Sequence, residues 1–109
     1  MELNEYQRKA MVTKKPFYDP KDQQIDSLLG LSGEVGEVHE ILKKHYARGD
    51  VLDRAKLVNE IGDVLWYIAE FCDAFGLTLE EVAEENIKKL SARHGGAYSG
   101  VGNRTGDGA

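Results

Sequence analysis

The stretch GEVGEVHE (33–40), followed after a turn region by NEIGD (59–63), decides how the rest of the chain is read. It holds two acidic pairs, Glu34-x-x-Glu37 and Glu60-x-x-Asp63, with 22 residues between them. At i,i+3 spacing, the two carboxylates of a pair share one face of a helix. The gap is the length needed to finish one helix, turn, and start a second antiparallel to it. Four carboxylates are thereby aimed at one point between two helices. Such a cluster does not stay fully ionised in a protein interior without a counter-charge. A hard divalent cation is the simplest one, because carboxylate oxygens are the ligands that Mg²⁺ and Mn²⁺ prefer, with water and phosphate oxygens completing the shell.

Outward from the first pair, helical periodicity extends from near Gln23–Asp26 to about Tyr46. Glu34 falls inside the apolar stripe of Leu31, Val38 and Ile41, while Glu37 lies about 60° to one side. Gly30, Gly33 and Gly36 recur every third residue. Each costs about 1 kcal/mol against Ala in a helix interior, so their repetition suggests close approach by another backbone or by a ligand. Gly49 is placed to stop this helix.

The next helix is expected from Val51 or Asp53 to Phe75, with Gly76 ending it. Its pattern repeats the first. Glu60 sits within the stripe of Leu57, Val64, Tyr67 and Phe71, and Asp63 at its edge. The opposite side carries Val58, Gly62, Leu65 and Ala69, with Trp66 near. A helix that is apolar on both sides is buried on both sides, which in so small a chain predicts a second chain packing there.

A fourth helix opens on Thr78 and Glu81, a capping box, with Leu77 and Val82 placed as a hydrophobic staple. Its stripe is Leu79, Val82, Ala83, Ile87 and Leu90. Asn86 falls at the centre of that stripe, Arg93 close to it and Lys89 at the edge. Polar groups in a buried stripe need partners, and an amide and two cations turned towards the acidic helices would suit phosphate oxygens. At the other end of the chain, residues 2 to about 12 read as a short amphipathic helix with Leu3, Tyr6, Ala10 and Met11 on one side. Lys14 to Asp22, containing Pro16 and Pro20, reads as a loop. No segment reads as a strand. From Gly95 the tail is Gly-rich and too polar to pack as an element. Residues 1–100 are expected to form one domain and 101–109 a flexible tail.

Composition sets the outer bounds. The chain has 109 residues, of which 41% are hydrophobic and 30% charged, which suits one small domain with a core. A net charge of −5 argues against nonspecific binding to nucleic acid or to an anionic membrane. The lone cysteine, Cys72, permits no intramolecular disulfide and fits a core position in a reducing, cytoplasmic setting. No stretch approaches a membrane span, and the first residues do not read as a signal peptide.

A single acidic i,i+3 pair is common on solvated helix faces. The weight here comes from repetition on two neighbouring helices, with one acid of each pair inside an apolar stripe. Glu40 lies off the stripe and reads as a surface residue. Asn86 and Arg93 have an alternative role, bridging to the carboxylates with no substrate present. Tyr67, one turn after Asp63, reads as a ligand contact and Trp66 as an interface aromatic. His39 and His45 read as surface or helix-end residues. No Glu is followed by His three residues later, so the Glu-x-x-His pairs of di-iron bundles are missing.

The double acidic motif, in the contexts GLSGEVGEVHEILKK and KLVNEIGDVLWYI, with the later NIKKLSARHGG, resembles the MazG family of nucleoside triphosphate pyrophosphohydrolases, part of the all-α NTP pyrophosphatase superfamily. The resemblance spans roughly residues 2 to 100. It implies an all-α four-helix bundle assembled as a dimer or dimer of dimers. It also implies hydrolysis of a nucleoside triphosphate between the α and β phosphates, giving monophosphate and pyrophosphate. Glu34, Glu37, Glu60 and Asp63 would hold two or three Mg²⁺ ions, or Mn²⁺, with Glu34 favoured as general base. Asn86, Lys89 and Arg93 would hold phosphates, Tyr67 would lie near the sugar, and Asn4 and Gln7 of the first helix would contact the base. Two other readings stay open: a non-catalytic helical oligomer that binds a nucleotide or a partner protein, and a dUTP-specific or diphosphate-preferring relative of the same superfamily.

Overall fold

A computed structural model describes residues 1–17 and 19–94. Four helices follow one another: α1 (Leu3–Met11), α2 (Pro20–Arg48), α3 (Arg54–Ala74) and α4 (Leu79–Arg93). No strand occurs among the described residues. The Gly-rich tail and the boundary expected at residue 100 lie outside them.

α2 and α3 form a long antiparallel hairpin, and α3 packs on α1, which in turn carries α4. The turns between helices follow from local chemistry. Gly49 ends α2 with φ 72°, and its N–H bonds to the His45 carbonyl at 3.1 Å, closing a left-handed cap. The Asp53 side chain then accepts from the Lys56 N–H at 3.1 Å to start α3. Gly76, with φ 70°, ends α3 in a Schellman turn: Leu77 N–H bonds to Cys72 O at 2.8 Å and Gly76 N–H to Asp73 O at 3.1 Å. The capping box at Thr78 and Glu81 forms as the sequence predicts.

One boundary differs from the sequence reading. α2 begins at Pro20, inside the segment expected to be a loop. Pro20 takes the first helical position, where a missing N–H costs nothing, and the Asp19 carboxylate caps the turn by accepting from Asp22 N–H at 2.9 Å.

The core is small. Ala10, Ala69, Cys72 and Leu79 are buried together, with Tyr6, Met11, Trp66 and Ile68 packed against them. Polar bonds lock this knot. The buried Gln7 side chain donates to Leu77 O at 3.0 Å and accepts from Leu79 N–H at 2.8 Å, while Asn4 accepts from Glu80 N–H at 3.1 Å. Two residues of α1 thus satisfy the first amides of α4, which have no partner within their own helix. Trp66, expected as an interface aromatic, is bonded within the chain: its indole N–H donates to Thr13 Oγ1 at 2.9 Å and Ala10 O at 3.1 Å. The indole donor needs an acceptor once the ring is half-buried, and the end of α1 supplies it.

Much apolar surface stays open. On α3, Val58 is 68% and Ile61 50% exposed, on the side of Gly62, where a Cβ would meet nothing within 4 Å. On α2, Ile25, Leu28, Leu29 and Val35 are likewise exposed. Among the described residues, no helix is long and apolar enough to cross a membrane.

Candidate functional site

The hairpin brings the two acidic motifs together. One carboxylate oxygen each from Glu34, Glu60 and Asp63 lies within 4.8 Å of the others. Two oxygens bound to one Mg²⁺ at about 2.1 Å stand about 3 Å apart when adjacent and about 4 Å apart when opposite. The trio therefore needs only a small closure to ligate one ion. Their own electrostatics ask for it. Glu34 is pushed above the usual carboxylate range by burial first, then by the charges of Asp63 and Glu60, a hydrogen bond with Glu60, and the charge of Glu37. Among the described residues the ion pairs engage Glu5, Asp73, Asp26, Asp50 and Glu85, and none engages the trio. Three clustered carboxylates without a paired cation, all oxygen donors, fit a hard divalent ion.

Glu37, the fourth acid, falls outside the trio. It is exposed one turn along α2, lining a cleft of about 260 Å³ with Glu40, Lys44, Asp50, Asp53 and Lys56. Its charge still reaches Glu34.

Tyr67 lies one turn from Asp63 and is wedged against α2 at Gly30. A Cβ at residue 30 would fall inside the phenol ring, with Tyr67 Cδ1 at 2.6 Å. Of the three glycines at that spacing, Gly30 has a close neighbour, while Gly33 and Gly36 meet nothing within 4 Å among the described residues. Burial, and then the charges of Asp26, Glu70 and Glu34, raise the Tyr67 hydroxyl above its ordinary value, against a smaller pull from Lys15. The phenol thus stands among carboxylates on both sides along the seam.

Asn86, Lys89 and Arg93 are exposed on α4, which lies along α1 and not along the α2–α3 pair. The charges acting on Glu34 are all acidic. Within a single chain, then, the structure does not bring the α4 cations to the trio. Asn4 and Gln7 line an open cleft of about 630 Å³ with Arg8, Met11, Asp73 and Leu77, but their amides are engaged with α4. Asp73, on that cleft, is ten residues beyond Asp63, or about 15 Å along the helix axis.

Two residues near the seam escaped the sequence reading. Tyr6 of α1 has its hydroxyl raised by burial and then by the charge of Asp63, which brings α1 to the edge of the acidic site. Its place on the inner side of α1 was readable; its neighbour was not. Glu70 is 1% exposed, on the Asp63 side of α3. The i,i+7 spacing from Asp63 was the available signal.

The sequence matches the MazG nucleotide pyrophosphohydrolase domain over residues 23–97, which includes both acidic motifs and all of α3 and α4. The chain belongs to the MazG nucleotide pyrophosphohydrolase family. It is also 35% identical over 69 residues to the "Gene 37 protein" of Mycobacterium phage L5, covering 60% of each chain. The match therefore spans less than two thirds of that relative's length. No solved structure matches the chain.

Proposed function

We propose that the protein hydrolyses a nucleoside triphosphate, ribo- or deoxyribo-, at the α–β phosphoanhydride, using divalent metal held on the α2–α3 seam. Water and the triphosphate become nucleoside monophosphate and pyrophosphate. The observation that carries the reading is the convergence of Glu34, Glu60 and Asp63 in a chain of this family.

Glu34, Glu60 and Asp63 would hold Mg²⁺ or Mn²⁺, with Glu37 joining from the next turn. When bound, the metal supplies charge neutralisation of the triphosphate and activation of water. The chain's residues do the rest. Glu34, set in the apolar stripe with its carboxyl raised by burial, takes the proton of the attacking water at a carboxylate oxygen. A base that titrates closer to neutrality is better matched to that transfer. Tyr67, fixed on Gly30, bounds the site and excludes water from one side.

Asn86, Lys89 and Arg93 are proposed to bind phosphate. Since they project from α4, the reading places them at the site through assembly with another copy, as a homodimer or homotetramer. The exposed Val58, Ile61 and Leu65 of α3 and Leu28 and Leu29 of α2 support such an assembly; exposed apolar patches on this scale mark contact surfaces. Pyrophosphate release from a panel of nucleotides, with Mg²⁺ or Mn²⁺ and with chelator, tests the reading. Metal-dependent release supports it. Folded protein that releases none from any nucleotide would point instead to a binding role.

A further inference from the structure

The seam between α2 and α3 is built in layers. Glu34 meets Asp63 and Glu60 in one. In the next, Tyr67 lies on Gly30. One turn further, Glu70 faces Asp26. The spacing is regular on both helices: Asp26, Gly30 and Glu34 on α2, Tyr67 and Glu70 following Asp63 on α3.

Glu70 is 1% exposed, and neither of its carboxylate oxygens accepts a hydrogen bond from any N–H or O–H among the described residues. The group it faces across the seam is the Asp26 carboxyl, which when ionised also offers only acceptors. Two carboxyl groups can bond to each other only when one keeps a proton. If both were ionised, a buried charge would face a like charge with no donor between them.

The neighbouring cations do not relieve this. Lys14, from the segment before α2, donates to Asp73 at 2.6 Å, and Asp73 is also bonded by Gln23 at 2.9 Å. Lys15, from the same segment, pairs with Asp26 at 3.3 Å. Both lysines act on Glu70 from a distance, and burial together with Asp26 outweighs them, so that its carboxyl is pushed up to about 7. Tyr67, in the adjoining layer, feels both Asp26 and Glu70.

We propose that Glu70 is a positioning residue: it shares one proton with Asp26, and the acid pair closes the seam behind Tyr67 and holds the phenol on Gly30 beside the Glu34–Glu60–Asp63 cluster. Any effect on catalysis rests on the function proposed above; the shared proton and the seat of Tyr67 do not. Loss of the proton sets Asp26 against Glu70 and loosens α2 from α3 at the layer next to Tyr67. The proton belongs to the pair, and the midpoint observed is that of the pair.

The test is a titration of the metal-free wild-type protein, with labelled carboxyl carbons and Tyr67 ring resonances followed by NMR. The expected result is a Glu70 midpoint near neutrality and a Tyr67 shift with the same midpoint. Glu70→Gln keeps a hydrogen-bond donor towards Asp26 and removes the Glu70 titration, so its Tyr67 resonances lose the shift at that midpoint. With turnover established, KM for the triphosphate rises about three-fold or more on the alkaline side in wild type relative to Glu70→Gln, while kcat of the two stays within about two-fold. A Glu70 midpoint in the ordinary carboxylate range, or a Tyr67 ring that ignores the Glu70 midpoint, overturns the proposal, and neither reading needs a variant to fold. The two proposals fail separately. Pyrophosphate release with an indifferent Tyr67 removes this one alone, and a coupled Tyr67 in a protein that hydrolyses nothing removes the proposed reaction alone.

Discussion

Gly30→Ala is the sharpest probe of how α2 and α3 are joined. The added Cβ would overlap the Tyr67 ring, with Cδ1 at 2.6 Å, whereas carbon atoms rest at about 3.5–4.0 Å. Cε1 and Cζ lie closer still, so the ring must retreat by considerably more than about 1 Å, and it has acidic layers on both sides. Overpacking of this kind costs about 1–3 kcal/mol. Set against it is the gain of about 1 kcal/mol from replacing glycine by alanine within a helix. The net expectation is a loss of up to about 2 kcal/mol. Gly33→Ala and Gly36→Ala meet nothing within 4 Å among the described residues, so they should stabilise the chain by about 0.5–1 kcal/mol. Urea unfolding followed by circular dichroism, at one protein concentration for all three variants, reads the difference. The gap between Gly30→Ala and its two neighbours should be about 1–3 kcal/mol, or a Tm difference of about 5–15 °C for a domain of this size. Equal stability of all three variants would refute the wedge of Tyr67 on Gly30 and, with it, the layered seam.

Other outcomes follow from the same geometry. Gln7→Ala leaves Leu77 O and Leu79 N–H unpaired and should cost about 2–3 kcal/mol, measured by denaturant midpoint; a neutral result would deny that α1 pins α4. Asp63→Asn and Glu34→Gln should abolish turnover with helix content unchanged and remove the Tm rise caused by Mg²⁺, whereas Glu37→Gln, outside the trio, should weaken metal binding less; the reverse order would move the metal centre along α2. Glu70 binds its proton more tightly folded than unfolded, since its carboxyl rises from 4.5 to about 7. Its contribution is therefore full below about pH 4.5, falls by about 3 kcal/mol in all as pH rises from there to about 7, and is gone above that; thermal melts of Glu70→Gln should lack this decline between mildly acidic and neutral pH. Leu65→Lys should lower the mass in solution measured by light scattering, and an unchanged mass would rule that face out as a contact between copies.

Three of the four helices were legible by their punctuation, the capping box at Thr78 and Glu81 and the stops at Gly49 and Gly76, and α1 by its apolar stripe alone. Pro20 misled because proline reads as a breaker until Asp19 is recognised as a cap beside it. The meeting of Glu34, Glu60 and Asp63 was also legible, since it needs only two helices and one short turn. What could not be read was which helix covers which face. The stripe on α4 identified Asn86, Lys89 and Arg93 as one side of a helix, but periodicity does not name the surface opposite, and within one chain that surface is α1. Asn4 and Gln7 read as candidates for base contacts, and the bonds that engage their amides with Leu77, Leu79 and Glu80 cross seventy residues of sequence or more. Glu70 was passed over because an acid outside a motif reads as surface; only its register with Asp63 and Tyr67 placed it inside.

The measurement closest to the central claim is pyrophosphate release from nucleoside triphosphates by wild type and Asp63→Asn, with Mg²⁺ and with chelator. The account predicts release by wild type that depends on metal and is lost in the variant, with monophosphate formed in equal amount. Release of inorganic phosphate in place of pyrophosphate, or equal activity with chelator present, would contradict it.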